Sequence, residues 1–274
     1  MMQRSARWGL GSSLLLACFA ASAFPARAQT GSAAGGSPAT SGADPVSAIS
    51  QGMTALKDNE ARAALGDFQR ALVSDPDNVT ANLLASTAAV ELYEGPAAVQ
   101  YAEKAEKLDP GNWKIHTTLV AAYSAAGMKQ QRDRERELLR ELHRSGASDA
   151  RLATGFLVEM FPAGANRVEA IEYFDPVGRF HTYYRFLVRQ PDGKRVWEVD
   201  VQSDDFNQKS WAEAHPAEAA AGERQFQITG HGDDGDGVDY RTFSGKPDYD
   251  SIRVMVVEAL RAHPVTGAET PSSH

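Results

Sequence analysis

Cysteine is nearly missing from this chain: Cys18 is the only one among 274 residues. Motifs that name a reaction are missing too. There is no GxxxxGK(S/T) phosphate loop, no HExxH helix and no GxSxG elbow, so nucleotide, zinc and serine-hydrolase chemistry lack their usual signatures. Ser244-Gly245-Lys246 lacks the upstream glycine of a phosphate loop and reads as a turn before Pro247. A spanning helix needs about 20 apolar residues, and such a run exists only near the N-terminus. The mean hydropathy of -0.39 excludes a helical membrane bundle. The expectation is a non-enzymatic protein with no catalytic residue, cofactor or metal.

What stands at the N-terminus looks like an export signal. Arg4 and Arg7 precede an apolar stretch from Leu10 to Phe24, and Ala26-Arg27-Ala28 forms a small-x-small cleavage site. Residues 1–28 are therefore expected to be a signal peptide, making the protein periplasmic or secreted. Leu15-Leu16-Ala17-Cys18 offers the alternative of a lipoprotein anchored through Cys18. Cleavage after Ala28 removes three arginines, no acids and the cysteine, taking the formal charge from -8 to -11 over 246 residues. Such a chain has neither a disulfide frame nor a thiol nucleophile. Its acidic balance disfavours nucleic acid and anionic membrane surfaces as partners. Residues 29–44 are rich in Gly, Ala, Ser, Thr and Pro and read as a flexible linker. Residues 264–274 read as a disordered tail.

Between these lies an internal repeat. Asp75-Pro76-Asp77-Asn78 recurs as Asp109-Pro110-Gly111-Asn112, 34 residues on, and the same offset maps Ala64, Leu65, Phe68 and Ala71 onto Ala98, Val99, Ala102 and Ala105. These positions follow i, i+1, i+4, i+7, the stripe by which a helix buries one face, and each helix meets a proline that stops it. The pattern resembles the tetratricopeptide repeat family, whose unit is a 34-residue antiparallel helix pair. Gly52, Ala64, Phe68, Ala71 and Pro76 fall on its small, aromatic and proline positions. Ala98, Ala105 and Pro110 repeat the match, with Ser86 in place of the glycine and Ala102 of the aromatic, whose ring Tyr101 could supply. The units are 45–78, 79–112 and a degenerate 113–146, in which Leu119, Val120, Tyr123 and Gly127 fit but Arg132, Leu139 and Arg144 replace small residues and the proline.

The resemblance implies a stack whose concave groove is lined by the first helix of each unit and takes a protein or peptide partner. Met53, Lys57, Thr87, Glu91, Lys114 and Thr117 are its candidate lining residues. The family's carboxylate clamp does not carry over, because Ser50, Leu84 and Thr118 stand at matching positions. The helices could alternatively dock the rest of the chain or form a homodimer. The last helix, Lys129 to Arg144, carries six basic and four acidic residues. It reads as a solvated cap on the free end of the stack, or alternatively as a basic docking face.

From about Gly146 the periodicity becomes alternating, so residues 147–263 are expected to form a separate α+β domain. Phe156–Phe161, Arg167–Phe174, Phe180–Arg189, Lys194–Val201, Arg224–Thr229 and Gly237–Phe243 read as strands. Asp175-Pro176-Val177-Gly178 and Gln190-Pro191-Asp192-Gly193 read as turns. A short helix near Asn207–His215, cut by Pro216, and a final one near Asp250–Ala262 complete a mainly antiparallel sheet with one or two helices on one face. The whole is an α+β two-module chain.

Chemistry has few candidates here. Asp233, Asp234, Asp236 and Asp239 on a glycine-rich loop suit Ca²⁺, but their spacing fails the EF-hand pattern, and a hairpin loop explains them equally. His181, His215 and His231 could serve a base only if they converge on one pocket. The aromatics Tyr173, Phe174, Phe180, Tyr183, Tyr184, Phe186 and Trp197 fit cross-strand packing. Two functions remain: an exported interaction or scaffold module, or a small-ligand receptor or hydrolase-like enzyme in the β-rich half with the repeats as scaffold.

Overall fold

A computed structural model describes residues 44–146, 154–178, 181–203, 205–232, 237–246 and 248–263. The expected signal peptide and tail, and the linker apart from Asp44, lie outside the described residues.

Six helices come first: α1 (Pro45–Lys57), α2 (Ala61–Ser74), α3 (Val79–Glu91), α4 (Gly95–Leu108), α5 (Trp113–Ala125) and α6 (Lys129–Ser145). They form three hairpins stacked as tetratricopeptide-like repeats, and the 34-residue period is visible atom by atom. Ala64, Ala71, Ala98 and Ala105 are fully buried. The side chains of Asn78 and Asn112 accept from backbone N–H groups at the starts of α3 and α5. Each asparagine also donates to the aspartate three residues earlier, Asp75 or Asp109. Within each hairpin the turn passes through a left-handed residue, Asn59, Tyr93 or Gly127, again 34 apart.

The first two hairpins solve one packing problem in opposite ways. A Cβ on Gly52 would sit 2.5 Å from the Phe68 ring, so the large ring needs the glycine. In the second hairpin the pair is Ser86 and Ala102, both fully buried, and the Ser86 hydroxyl donates to the Ala98 carbonyl at 2.8 Å. Tyr101 does not fill the place of the missing ring. It packs at the edge of the first hairpin's apolar cluster and accepts a hydrogen bond from Gln69.

The second half is a six-stranded antiparallel meander: β1 (Gly155–Ala163), β2 (Asn166–Val177), β3 (Thr182–Arg189), β4 (Arg195–Gln202), β5 (Arg224–His231) and β6 (Gly237–Gly245). Helices α7 (Asp205–Ala214) and α8 (Pro216–Ala220) lie between β4 and β5, and α9 (Tyr249–Ala262) closes the chain. Tyr184, Phe186 and Val188 stand opposite Val201, Val199 and Trp197, so the two expected apolar faces meet. Tyr249, Ile252 and Val256 of α9 join that face in one core.

Three expectations are corrected. Asp175, Pro176 and Val177 are the end of β2 rather than a turn, and the chain leaves the strand at Gly178, whose φ of 74° is left-handed; Phe180 lies outside the described residues. Pro216 does more than cut a helix: it opens α8 at a position where its missing N–H costs nothing. Above all, α6 is not a solvated cap. Arg132, Arg136 and Leu139 are buried, and Leu139 and Val120 belong to the same core as the sheet and α9. Arg136 donates to Glu172 of β2 and to the Tyr184 hydroxyl, Arg140 also pairs with Glu172, and Arg132 pairs with Asp250 of α9 at 2.9 Å. The guanidinium groups of Arg132 and Arg136 each lie 5.2 Å from the centre of the Tyr249 ring. The two modules therefore share a core, and the charged stripe of α6 is their seam.

Candidate functional site

The concave groove of the repeats is where the sequence places a partner. Part of it is occupied by the chain itself. Strand β1 runs against α5, and Leu83, Val90 and Ala121 share an apolar cluster with Leu157 and Met160 of β1. Thr87 is buried, with its hydroxyl bonded to the Leu83 carbonyl in its own helix. Thr117 does likewise with the Lys114 carbonyl at 2.7 Å, and Lys114 lies against the Trp113 ring. Of the six candidates, Lys57 is exposed and Met53 half-buried on the first hairpin. Strand β1 thus packs its apolar residues against α5 of the third hairpin, on part of the face that the expected groove would use.

Glu91 faces the same seam from the end of α3. Burial raises its carboxyl pKa to about 7, against the lowering effect of Arg167 and with a further upward push from Glu169. Arg167 of β2 donates from Nη2 to Asn59 Oδ1 at 3.1 Å, while Asn59 Nδ2 donates to the Asp192 carbonyl in the β3–β4 turn. The turn can approach this closely because Gly193 has no side chain: a Cβ there would lie 2.5 Å from Asn59 Nδ2. Arg167 Nε and Glu169 Oε1 are 3.3 Å apart but are not aligned for a hydrogen bond; Glu169 is held instead by Arg189 at 2.8 Å.

On the same face of the sheet, further from the repeats, lies a second constellation. Arg185 of β3 clamps Asp200 through two bonds of 2.8 and 2.9 Å and also reaches Glu198. Arg195 takes the other oxygen of Glu198 at 2.7 Å, and His231 Nε2 lies 3.4 Å from Glu198. The neighbouring carboxylates of Asp200 and Glu198 raise the His231 pKa, outweighing the opposing burial. Glu198, Asp200 and His231 are close enough together to surround a cation, but two guanidinium groups already occupy the carboxylate oxygens. A second such trio, Glu106, His116 and Glu135, is a hairpin clamp. His116 bridges Glu135 at 2.8 Å and the Pro110 carbonyl at 3.3 Å.

The three candidate histidines do not converge. His231 pairs with the Glu198 position of β4, whereas His181 bonds to Ser203 just past the other end of that strand; five strand residues, about 17 Å, separate those ends. His215 stacks on Trp211 at 5.1 Å. Of the acidic loop, Asp233, Asp234 and Asp236 lie outside the described residues and Asp239 is exposed on β6. Gly230, Gly232 and Gly235 have the spacing of a dinucleotide loop, but the next element among the described residues is strand β6 rather than the helix whose N-terminus such a loop uses. The Arg185–Glu198–Asp200 group was within reach of sequence reasoning. Period-2 alternation puts these charges on the face opposite Phe186 and Val199.

No protein-family model matches this chain, and no curated protein does. Among solved structures, the TPR domain of Arabidopsis OM64 is similar at 18% identity over 39% of this chain and 88% of that domain, with a TM-score of 0.34.

Proposed function

We propose that this chain is an exported protein of the bacterial envelope, periplasmic or secreted, whose repeats act as a non-enzymatic protein–protein interaction or scaffold module. The signal-like start, from Arg4 to Ala28, supports export. The observation that carries the interaction reading is the asymmetry of the helical stack. The third hairpin is fused to the sheet through Val120 and Leu139, while the first hairpin leaves Val46 71% and Val73 84% exposed among the described residues. A rigid body with one anchored end and one open end is what a scaffold needs.

The test is a pull-down from envelope extract with the full secreted chain and with a Val46→Glu/Val73→Glu variant. A protein retained by the first and lost by the second supports the reading; equal retention, or none, counts against it. Mass spectrometry of the exported protein decides between a start at Gln29 and a lipid on Cys18. Light scattering decides between monomer and homodimer.

The second reading makes the β-rich half a small-ligand receptor or hydrolase-like enzyme with the repeats as scaffold. The Arg185–Glu198–Asp200–His231 group favours it, because charged groups so densely placed on a sheet face are often functional. Loss of a measured ligand-binding or hydrolytic activity in His231→Gln, with the melt unchanged, would support it.

A further inference from the structure

His116 sits where the last two hairpins meet, and both of its ring nitrogens face acceptors. Nε2 lies 3.3 Å from the Pro110 carbonyl and Nδ1 2.8 Å from Glu135 Oε2. A neutral imidazole has one N–H, so with the proton on Nε2 the Nδ1 lone pair points at a carboxylate. The pair needs a second proton or a metal ion between them. Only 10% of the His116 side chain is exposed, and its surroundings are acidic. Glu106, in the last turn of α4, forms a set with His116 of α5 and Glu135 of α6, whose ligand atoms all lie within 4.8 Å of one another. Glu103, one turn earlier on α4, accepts from the Tyr123 hydroxyl at 3.2 Å. Burial and the charges of Glu103, Glu106 and Glu135 all raise the pKa of that hydroxyl. Among the described residues no lysine or arginine pairs with these three carboxylates, and Lys104 on the same helix is engaged by Asp77.

We propose that Glu106, His116 and Glu135 bind a divalent transition ion, Zn²⁺, through His116 Nδ1 and one oxygen of each carboxylate. An Nε2–H that donates to a backbone carbonyl is the outer-shell bond that holds a metal-bound histidine in its tautomer. One imidazole with two carboxylates suits Zn²⁺, which takes three protein ligands and leaves a fourth position to water. Ca²⁺ prefers a cage of oxygens alone. Two ligands on a tetrahedral zinc stand about 3.4 Å apart, so Glu135 has to retreat from His116 by only roughly 0.6 Å. Glu106 and Glu135 are half-buried, which leaves the ion a path from solvent. The other trio, Glu198, Asp200 and His231, is the poorer host, because Arg185 already holds both of its carboxylates. The ion ties three successive helices, α4 to α6, and braces the hairpin that is fused to the sheet. The site stands whether or not the repeats bind a protein.

The experiment titrates ZnCl₂ into the full chain, first stripped with EDTA and dialysed, by calorimetry. It also follows the melt and the ring nitrogens of His116 by NMR. Saturable binding of one ion, a Tm that rises with zinc and a shift of Nδ1 with the Nε2–H retained support the site. Glu106→Gln is the decisive variant, because Glu106 has no hydrogen bond to lose among the described residues. Its metal-free melt is expected to match wild type while its zinc affinity falls at least about tenfold, since even the outer-shell partners of a metal site are worth that much. His116→Gln is expected to lose the ion and His231→Gln to keep it. Zinc binding that survives Glu106→Gln, that is lost instead in His231→Gln, or that never saturates would overturn the proposal and leave His116 as an imidazolium held by Glu135.

Discussion

Glu172 holds two guanidinium groups at once: Arg136 on Oε2 at 2.7 Å and Arg140 on Oε1 at 2.5 Å. The carboxylate belongs to the sheet and both arginines to the last repeat helix, so one buried anion joins the two modules. Burial works against the charge on Arg136, but Glu172 and Asp133 outweigh it and raise its pKa.

Glu172→Ala is expected to cost about 3–5 kcal/mol, because it strands the buried Arg136 charge. Arg140 is 34% exposed along its side chain, and Arg140→Ala leaves Glu172 paired with Arg136, so its cost should stay near 1 kcal/mol. Urea denaturation measures both. Equal effects from the two variants would contradict the seam as described.

Gly52→Ser alone should destabilise by about 1–3 kcal/mol through overpacking against Phe68. Phe68→Ala alone should cost about 3–5 kcal/mol. Together they recreate the Ser86–Ala102 solution of the next hairpin, so the double variant should cost less than the sum of the singles. Strict additivity in a double-mutant cycle would show that the two positions do not pack on each other.

Glu91 gives a pH signature. Its folded pKa of about 7 lies above the ordinary 4.5, so the folded state binds the proton more tightly. That contribution is present below about pH 4.5 and is lost as pH rises through about 7. Glu91→Gln should therefore gain stability over wild type across this window and level off above it, by about 1–3 kcal/mol. Melts of both proteins over that range read the difference, and a gap independent of pH would remove the basis for a protonated Glu91.

Val120 and Leu139 share a core with Phe186, Val199 and Ile252, so unfolding should be a single transition across both modules. A 45–146 fragment ends with Leu139 and Arg136 facing water and should show a non-cooperative or strongly lowered helical melt. A fragment as stable as the whole chain would make the modules independent.

The repeats were legible because their pattern is local. A 34-residue offset and four alanines specify helices that approach closely, and the approach distance is set by those same residues. The strands were legible for the same reason, since the alternation of Tyr184, Phe186 and Val188 fixes which face is apolar. The candidate groove was harder to read. Met53 and Lys57 remain accessible, but nothing in the spacing of Leu119 and Ala121 says that β1 packs against their helix. Helix α6 is the clearest case: Arg132, Arg136 and Arg140 sit at helical spacing among acids, the sequence pattern of a solvated surface.

By itself, the sequence determined that this chain makes three helix hairpins followed by a six-stranded antiparallel sheet with a terminal helix. Tertiary structure alone decided that β1 packs against α5, that one charged stripe of α6 is buried, and that Glu91 has no hydrogen bond among the described residues. Secondary structure follows from backbone sterics and apolar periodicity over a few neighbours. Whether a charge is buried depends on which distant residue neutralises it, and Glu172 is 36 positions from Arg136.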